Sequence, residues 1–363
     1  MADKKPVVVY AASGYTGKLT CEWLAKLKIP FIAAGRNQQK LDEAVAGFAG
    51  ADCEAVAVPH EVGALTELFR GSKVVVNISG PFSKLGKDVV EASFEAGCHY
   101  LDSTGEQDFM LDMRELFDQR FEDRKLVLAP STAFLWAFGA VAAEVCLETE
   151  GIDDLVIVNA PASLQTMASL QSMARTARRD AFNLRERALH PIAIGQVHNF
   201  LIPFTQKTRP ALEIGAGEAT WFLGDTRVRN ARTFFANADL ARAAGPMKAM
   251  KRAEAVLSLE RLDKWSDGLI ERYKKNPGRE RPEDTRFVVY AVGEGNHSRA
   301  MCALYGSMSY DVTGWIAAEC ARRTLEGHVE RYGYRSAPQA FGTRAMLRAM
   351  EDAGIRADIQ VAG

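Results

Sequence analysis

Small residues follow the first apolar segment of the chain, and their spacing could hold the pyrophosphate of a dinucleotide. Residues 6–10 are apolar and rich in valine, which is typical of a strand buried on both faces. Residues 18–27 place leucines and a tryptophan on one helical face. Glycines at a strand-to-helix junction let the backbone approach a pyrophosphate, whose charge then lies on the exposed N–H groups of the helix start. The residues predicted to form this loop are Ala12, Ser13, Gly14, Tyr15, Thr16 and Gly17.

A basic residue stands where the second predicted strand ends. Residues 31–34 form that strand, and Gly35, Arg36 and Asn37 follow it, with Lys40 close behind. An NAD-selective site usually has an acid near this position, about 20 residues after the glycines, to bind the ribose 2′-hydroxyl. A guanidinium suits the additional 2′-phosphate of NADP by charge and by paired donors. The sequence therefore predicts NADP(H) bound by Gly35, Arg36, Asn37 and Lys40; a solvated arginine at a helix start is the alternative.

Two further loops are predicted at the same edge of the sheet. Residues 73–78 are typical of a strand, and the loop after it consists of Ser79, Gly80, Pro81 and Phe82. Residues 98–102 form the next predicted strand and 103–106 its exit loop, and 126–129 would form the sixth strand. Ligands of open parallel sheets lie beyond the carboxyl ends of the strands. Both loops are therefore expected to face the nicotinamide end of the cofactor.

Three side chains are candidates for the proton that accompanies hydride transfer. Asp102 and Glu106 lie in the loop expected beside the nicotinamide, and either could donate if burial raised its pKa. The alternative is that Asp102 binds loop amides and Glu106 caps the following helix. Tyr310, from a later segment, could reach the same cleft, or it could be a packed core tyrosine.

Aromatic residues follow the sixth predicted strand and could line a substrate pocket. Phe134, Trp136 and Phe138 alternate within a short segment. Such residues more often belong to a core, but a pocket that includes them would prefer an apolar or aromatic substrate.

Composition excludes several classes of protein. The chain has 363 residues, a formal net charge of −1 and 47% apolar residues, which argues against a protein held on nucleic acid by a broad basic surface. Residues 126–143 approach membrane-span length but Pro130 interrupts them, so we expect no membrane segment. Six scattered cysteines favour free thiols in a reducing cytoplasm. Histidines lack metal-ligand spacing, so no metal site is expected.

Five motifs stand in order along the chain: GYTG at 14–17, GR at 35–36, NxSGPF at 77–82, HYLDSTGE at 99–106, and the C-terminal pair YDVTGWIAAECARR at 310–323 and SAPQAFG at 336–342. This set resembles the saccharopine dehydrogenase-like NADP-binding family. The branch that it is most similar to contains the trans-acting enoyl reductases.

The resemblance implies an α/β fold, a Rossmann-type doubly wound parallel sheet with a second α/β domain that has an open α+β sheet. Residues 1–131 would be the NADP-binding Rossmann domain, 132–307 the substrate and dimerisation domain, and 308–363 helices that return to the Rossmann domain. It also implies NADPH-dependent reduction of a C=C, C=N or C=O bond in a small molecule, and a homodimer formed through the second domain.

The chain departs from the family pattern in three places. Ala11 or Ala12 stands where the family's first turn usually begins with glycine. The segment 133–139 is more aromatic than the family's, and Leu164-Gln165-Thr166 replaces an expected Gly-Gly-Thr. Because the last two lie where the family shapes its substrate pocket, Gln165 joins the predicted pocket residues.

Secondary structure of the second domain is predicted from local pattern. Strands are expected at 155–160, 211–214, 219–222 and 286–292, a helix at 163–189 and a surface loop at 273–284. The arginines of 175–187 would form a solvated helical face, or would attract the phosphates of a cofactor or of an anionic substrate.

Three functional hypotheses remain at this point. The leading one is an NADPH-dependent reductase of a hydrophobic carbonyl or enoyl compound. The second is a C–N dehydrogenase acting on amino acids or imines, which the aromatic segment disfavours. The third is an NADP-binding regulator without catalysis, since fold alone does not establish chemistry.

Overall fold

The computed structural model describes residues 4–161, 179–193, 195–242, 244–245, 268, 272 and 278–362. Its chain divides into two compact units. The first comprises Met1–Thr104, Phe109–Ala137 and Tyr310–Gly342, and the second comprises Gly105–Asp108, Phe138–Ser309 and Thr343–Gly363. The first unit is therefore discontinuous: the chain leaves it after Ala137 and returns to it at Tyr310.

The first unit is built on short buried strands. In chain order they are β1 (Val7–Tyr10), β2 (Phe31–Gly35), β3 (Cys53–Ala57), β4 (Val74–Asn77), β5 (His99–Asp102), β6 (Val127–Ala129) and β15 (Gly333–Tyr334). Its helices are α1 (Tyr15–Lys26), α2 (Gln38–Val45), α3 (Val62–Phe69), α4 (Phe82–Ala96), α5 (Gln107–Asp123), α9 (Ser309–Leu325) and α10 (Ala337–Phe341).

All seven strands run parallel in the order β15-β6-β5-β4-β1-β2-β3. The valines of β1 and β4 are fully buried, because helices that cross between parallel strands cover both faces of such a sheet. Strand order reverses between β1 and β4, and in doubly wound sheets that point forms the ligand crevice. The doubly wound fold predicted from the sequence is confirmed.

The second unit contains the remaining strands. They are β7 (Ile152–Ala160), β8 (Phe182–Arg185), β9 (Ala188–Pro191), β10 (Val197–Ile202), β11 (Lys207–Ile214), β12 (Asn230–Phe235), β13 (Arg286–Gly295), β14 (Arg299–Ser307) and β16 (Arg356–Ala362). Its helices are α6 (Phe134–Cys146), which begins in the first unit, α7 (Gly217–Trp221), α8 (Ala238–Arg242) and α11 (Thr343–Asp352).

These strands form one mixed sheet in the order β10-β11-β12-β7-β13-β14-β16, to which the β8–β9 hairpin is attached through β12. Only β7 and β12 pair in parallel within this order. Val158 and Ala160 face an apolar cluster on one side. Ile157 faces α6 on the other side, where a Cβ placed on Gly139 would lie 3.0 Å from it.

Three sequence-based assignments in this unit are wrong. The described part of the expected helix at 163–189 forms the β8–β9 hairpin, whose turn residues Glu186 and Arg187 both have positive φ, as in a two-residue hairpin turn. The expected strand at 219–222 is mostly helix α7. The expected C-terminal helices end with α11 at Asp352, and β16 then pairs antiparallel with β14, so residues 356–362 belong to the second unit's sheet.

Candidate functional site

A tight loop connects β1 to α1 at the edge where the strand order reverses. The Ala12 amide donates to the Ala34 carbonyl (3.0 Å), and the Gly14 amide donates to the Ala11 carbonyl (3.1 Å). Gly14 is the N-cap of α1 and gives it no side-chain cap. The first N–H groups of a helix have no acceptor within the helix, so the predicted residues 12–17 present a helix start suited to an anion.

Gly17 brings α1 against this loop. A Cβ placed on Gly17 would lie 2.5 Å from the Ala11 carbonyl oxygen and 2.8 Å from the Ala12 Cα. Both are backbone atoms, so no side-chain rotation could relieve the clash. In dinucleotide-binding turns, one glycine allows the helix to pack closely against the strand, and Gly17 has this role here. Ala11, at φ +65°, adopts the left-handed conformation that glycine usually supplies.

Arg36 lies exposed directly after β2. The Gly35 carbonyl before it accepts from Val58 (2.8 Å), and no carboxylate in the described ranges forms an ion pair with the Arg36 guanidinium. The Asn37 side chain accepts from the Lys40 amide (3.0 Å) and caps α2, so its amide oxygen has a structural partner. The Lys40 side chain is exposed beside it.

Tyr10 and His60 form a pair that sequence reasoning missed. Tyr10 ends β1, and its hydroxyl lies 2.9 Å from His60 Nδ1, with the two rings stacked at 5.8 Å. His60 Nε2 lies 3.5 Å from the Asp88 carboxylate. Burial raises the pKa of Tyr10 and the Arg36 charge opposes that rise, so the guanidinium acts on this hydroxyl. The only signal in the sequence was that Tyr10 stands at the end of a strand and His60 shortly after one.

Polar side chains join the carboxyl ends of β4 and β5. The Asn77 oxygen accepts from the Ser79 amide (2.9 Å) and from its hydroxyl (2.6 Å). Asn77 Nδ2 donates to the Tyr100 hydroxyl (3.0 Å), which donates to Asp102 Oδ2 (2.9 Å). Burial, reinforced by the Asp102 charge, raises the pKa of Tyr100. The Tyr100 hydroxyl therefore keeps its proton and holds the two strand ends together.

Asp102 extends this series of hydrogen bonds to the next loop. Its Oδ1 accepts from the Thr104 amide (2.9 Å) and from the Ser131 amide (2.7 Å), and the residue is 1% exposed. Asp102 therefore binds loop amides, which was the alternative to a proton donor. Its bonds fix the loops after β5 and β6.

The other predicted loop residues at this edge start α4. Tyr10 and Asn77 are register partners, and the Ile78 amide donates to the Tyr10 carbonyl (2.9 Å). Ser79, Gly80 and Pro81 therefore follow β4 next to the loop that follows β1. Phe82 begins α4 and packs on Phe109 at 5.9 Å between ring centroids.

The remaining proton-donor candidates lie in different environments. Glu106 is buried, 2% exposed, and immediately precedes α5 within the second unit. Tyr310, near the start of α9, packs edge-to-face on Tyr15 at 5.5 Å. A Cβ on Gly314 would lie 2.8 Å from the Leu19 backbone, so α9 packs closely on α1. The structure therefore brings Tyr310 to the predicted pyrophosphate loop.

The aromatic residues proposed for a pocket are all buried. Phe134, whose amide donates to the Thr313 hydroxyl (3.1 Å), and Trp136 belong to the first unit. The Trp136 indole N–H has no acceptor among the described residues. Phe138 packs on Phe287 at 5.6 Å within the core of the second unit. Gln165 lies outside the described residues.

Among the described residues, no group of three or more histidine, cysteine, aspartate or glutamate side chains could hold a metal ion. Within the same ranges, no helix has the length and apolar character to cross a membrane.

Comparison with family models divides the chain in two. Residues 7–121 match the saccharopine dehydrogenase NADP binding domain, and residues 137–362 match the family of unknown function DUF5938. The first match confirms the resemblance drawn from the motifs and the prediction of NADP(H) as the cofactor of this domain type. The second covers more than half of the chain.

Curated relatives match about a third of the chain. A lipid droplet localized protein of Caenorhabditis elegans is 31% identical over 129 residues, which are 32% of this chain and 30% of that protein. A saccharopine dehydrogenase-like oxidoreductase of Mus musculus is 28% identical over 35% of this chain and 34% of its own. A Mycobacterium tuberculosis protein named as a candidate trans-acting enoyl reductase is 32% identical over 32% and 29%. The chain thus spans about a third of the length of the curated relatives it matches.

A solved structure matches the whole chain. Apo saccharopine dehydrogenase (L-Glu forming) from Saccharomyces cerevisiae is 10% identical, with a TM-score of 0.65 over 99% of this chain and 100% of that chain. At this identity the likeness concerns the fold, and it agrees with a Rossmann-type sheet followed by a second mixed sheet.

Proposed function

This chain belongs to the family of unknown function DUF5938, and from that premise and the NADP-binding domain at its start we propose that it is an NADPH-dependent reductase. The proposed reaction transfers a hydride to a small hydrophobic or aromatic carbonyl or enoyl substrate. The observation that supports it most is the exposed Arg36 guanidinium, which forms no ion pair with a described carboxylate, together with a helix start that only a glycine at position 17 allows.

The first unit offers one partner for each charged part of NADPH. Helix start 14–17 suits the pyrophosphate, and Arg36 suits the 2′-phosphate because a guanidinium presents paired donors to phosphate oxygens. Tyr10, at the end of β1, and His60, three residues after β3, would flank the same ribose. When bound, the cofactor supplies the hydride, and the protein supplies binding and orientation.

The Asn77–Tyr100–Asp102 chain of hydrogen bonds has a positioning role in this proposal. It fixes the loops after β4, β5 and β6 through side chains that are buried and fully paired. These hydrogen bonds restrict movement of the loops. This matters because a misplacement of reacting groups by about 1 Å can lower the rate of a reaction greatly. Tyr310, which packs on Tyr15, remains the proposed proton donor, since Asp102 accepts hydrogen bonds from loop amides.

A binding experiment tests the cofactor. We expect NADPH to bind much more tightly than NADH, and Arg36→Ala to weaken NADPH by about 10- to 100-fold because one charge-assisted phosphate contact is lost. NADH affinity should change less than about twofold in the same variant. Arg70→Ala is the matched control, since Arg70 is also exposed but precedes β4 at the opposite edge of the sheet. Fluorescence titration measures the affinity of each of the three proteins for each of the two nucleotides. Equal binding of the two nucleotides would contradict the NADP assignment.

A substrate panel tests the reaction class. Consumption of NADPH is followed with aromatic ketones and aldehydes, enoyl thioesters, and imines or amino acids. Turnover of the first two groups is expected. Turnover of imines or amino acids alone would replace the proposal with a C–N dehydrogenase, and tight NADPH binding without any turnover would favour a regulator.

Location and assembly are further proposals. All six cysteines are unpaired thiols, which supports a reducing compartment such as the cytoplasm. We also propose a homodimer, which sedimentation of the purified chain would test directly.

A further inference from the structure

Large apolar side chains are exposed on the β10–β11 hairpin of the second unit. Leu201, near the end of β10, is 64% exposed, and Phe204, in the turn that follows, is 45% exposed. Leu201 is the most exposed large apolar side chain among the described residues. Single exposed apolar side chains are ordinary on a protein surface, whereas neighbouring ones mark a surface that binds a partner.

The hairpin is held against the sheet by its other face. Phe200 packs on Phe234 with ring centroids 4.7 Å apart, and Ile202 belongs to the apolar cluster of the sheet. The Tyr290 hydroxyl donates to the Leu201 carbonyl at 3.3 Å. Because side chains alternate along a strand, the Leu201 side chain projects away from this cluster. The packing therefore fixes the hairpin while Leu201 stays exposed.

Hydrogen bonds and one aromatic contact fix the turn itself. The Thr205 hydroxyl donates to the Ile202 carbonyl (3.1 Å) and accepts from the Lys207 amide (3.3 Å). Phe204 packs on Tyr305 of β14, with 5.4 Å between the ring centroids. Phe204 is thus held on one side and exposed on the other. The end of the hairpin therefore presents its apolar side chains in a defined conformation.

Four basic side chains lie around this end of the hairpin. Lys207 and Arg209 stand on β11 just after the turn. Arg356 of β16 lies directly opposite Tyr305 on β14. Arg286 of β13 lies opposite the residue two places after Tyr305, which makes it a diagonal neighbour at about 7–8 Å. Since residues paired across strands share a face of the sheet, both arginines lie on the face of Tyr305.

None of these four cations forms an ion pair with an acid among the described residues. Acids on neighbouring segments have other partners. Asp239 of α8 pairs with Arg242 at 2.6 Å, and Asp284 pairs with Arg281. Asp358 accepts from the side chain two residues after it, at 2.8 Å. The chain has a formal net charge of −1, so this end of the second unit is more basic than the chain as a whole.

This combination fits the surface of an anionic bilayer. A projecting turn would need a matching pocket in a protein partner, whereas a bilayer accepts apolar side chains at the depth of its headgroups. Each lysine or arginine close to anionic headgroups raises affinity by about fivefold. A second copy of this chain docked on the same surface would bring like charges together, which is unfavourable.

We propose that this end of the second unit docks on anionic phospholipid bilayers. The hairpin-end surface consists of Leu201, Phe204, Lys207, Arg209, Arg286, Tyr305 and Arg356. The contact is peripheral: the apolar side chains enter the headgroup layer, and the cations stay at the level of the phosphates. The proposal does not rest on the proposed reductase activity, because all of these residues belong to the second unit.

Sedimentation with lipid vesicles tests the proposal on the full chain. We expect at least 10-fold tighter binding to phosphatidylcholine vesicles with about 30% phosphatidylserine than to phosphatidylcholine alone, and weaker binding as salt is raised. Leu201→Ser combined with Phe204→Ser should lower affinity at least 10-fold, because two apolar side chains no longer enter the bilayer. Val361→Ser is the matched control, since Val361 is 62% exposed but lies on the opposite face of the sheet, and affinity should not change.

Charge variants isolate the electrostatic contribution. Lys207→Gln and Arg356→Gln should each lower affinity for the anionic vesicles by about fivefold. Arg299→Gln is the control, because Arg299 is exposed on β14 but is paired with Glu294. Its effect should be less than about twofold. Urea unfolding of each variant reports whether it is folded.

Several results would overturn the proposal. These are no binding to either vesicle, equal binding to both, or unchanged binding by the double serine variant. Competition by soluble glycerophosphoserine, the headgroup without acyl chains, would indicate a site for a free phosphate ester instead. Dissociation of a dimer by the double variant without vesicles would assign the surface to contact between copies. NADPH binding is measured in parallel, and its absence together with intact vesicle binding would contradict only the proposed function.

Discussion

Two clusters of buried polar side chains, one in each unit, differ in how far their hydrogen bonds are satisfied. In the first unit, Asn77, Tyr100 and Asp102 form an unbroken chain of bonds that ends on the amides of Thr104 and Ser131. In the second, Glu218 and Asn159 leave three buried atoms without partners in the described ranges. A satisfied network stabilises the strand ends that it joins. A cluster without such bonds has fewer hydrogen bonds to lose on mutation.

The largest expected effect is in the satisfied cluster. Asp102→Ala should lower the free energy of unfolding by about 3–5 kcal/mol, because it leaves two loop amides and the Tyr100 hydroxyl without an acceptor. Asp102→Asn retains an acceptor for the amides and should lose less. Urea unfolding of both variants measures the difference. An Asp102→Ala protein as stable as wild type would remove the contrast between the clusters.

The next effect concerns the unsatisfied acid and depends on pH. Burial raises the pKa of Glu218 from its ordinary value of 4.5 to about 8, so the folded state holds a proton that the unfolded state releases between these values. Stability attributable to Glu218 should therefore fall as pH rises from 4.5 to 8, by up to about 1.4 kcal/mol per pH unit.

Glu218→Gln isolates this contribution, since the amide cannot ionise. The variant should lack this loss of stability and should exceed wild type most clearly near pH 8. Unfolding midpoints measured at several pH values give the comparison. Parallel pH profiles for the two proteins would show that Glu218 is not held neutral.

A smaller effect tests the link inside the satisfied chain. Tyr100→Phe removes the hydroxyl that joins Asn77 to Asp102 and should cost about 1–3 kcal/mol, because it leaves a buried donor and a buried acceptor unpaired. Tyr290→Phe in the second unit is the control, since its hydroxyl makes a single 3.3 Å bond to the Leu201 carbonyl. The control should lose less. Equal losses of unfolding free energy in the two variants would mean that the Asn77–Tyr100–Asp102 hydrogen bonds stabilise the protein no more than a single bond does.

The smallest effect is expected in the loop after β1. Ala11 has φ +65°, which costs an L-residue about 1–2 kcal/mol, so Ala11→Gly should stabilise the protein by several tenths of a kcal/mol after the entropic cost of glycine. Ala12→Gly is the control. Ala12 is fully buried and does not have a positive φ, so we expect glycine at this position to destabilise the protein. Thermal unfolding of both variants would reveal the opposite signs.

Local pattern predicted the first unit well and the second unit less so. Parallel strands buried on both faces are short apolar runs separated by amphipathic helices, as at Val7–Tyr10 and Val74–Asn77, and such runs are recognisable one at a time. The hairpin at Phe182–Pro191 and the strand at Arg356–Ala362 carry mixed polar and apolar residues. Their strand conformation depends on partners distant in sequence.

Sequence reasoning could identify the predicted cofactor residues but not the surroundings of the buried polar side chains. Gly17 and Arg36 occupy fixed distances from a strand, so their roles follow from spacing. His60, Gly139 and Glu218 acquire their surroundings from other elements: Tyr10 is 50 residues from His60, and Gly139 meets Glu218 only because α6 and α7 cover the same strands.

By itself, the sequence determined the doubly wound sheet, the glycine-dependent loop and the cation after β2, because these depend on residue type at short range. Only the tertiary structure decided which buried polar groups find partners. Whether a buried polar group is hydrogen-bonded depends on its neighbours in three dimensions. The carboxylate of Asp102 therefore accepts hydrogen bonds from a hydroxyl and from loop amides, whereas burial favours the neutral form of the Glu218 carboxyl group.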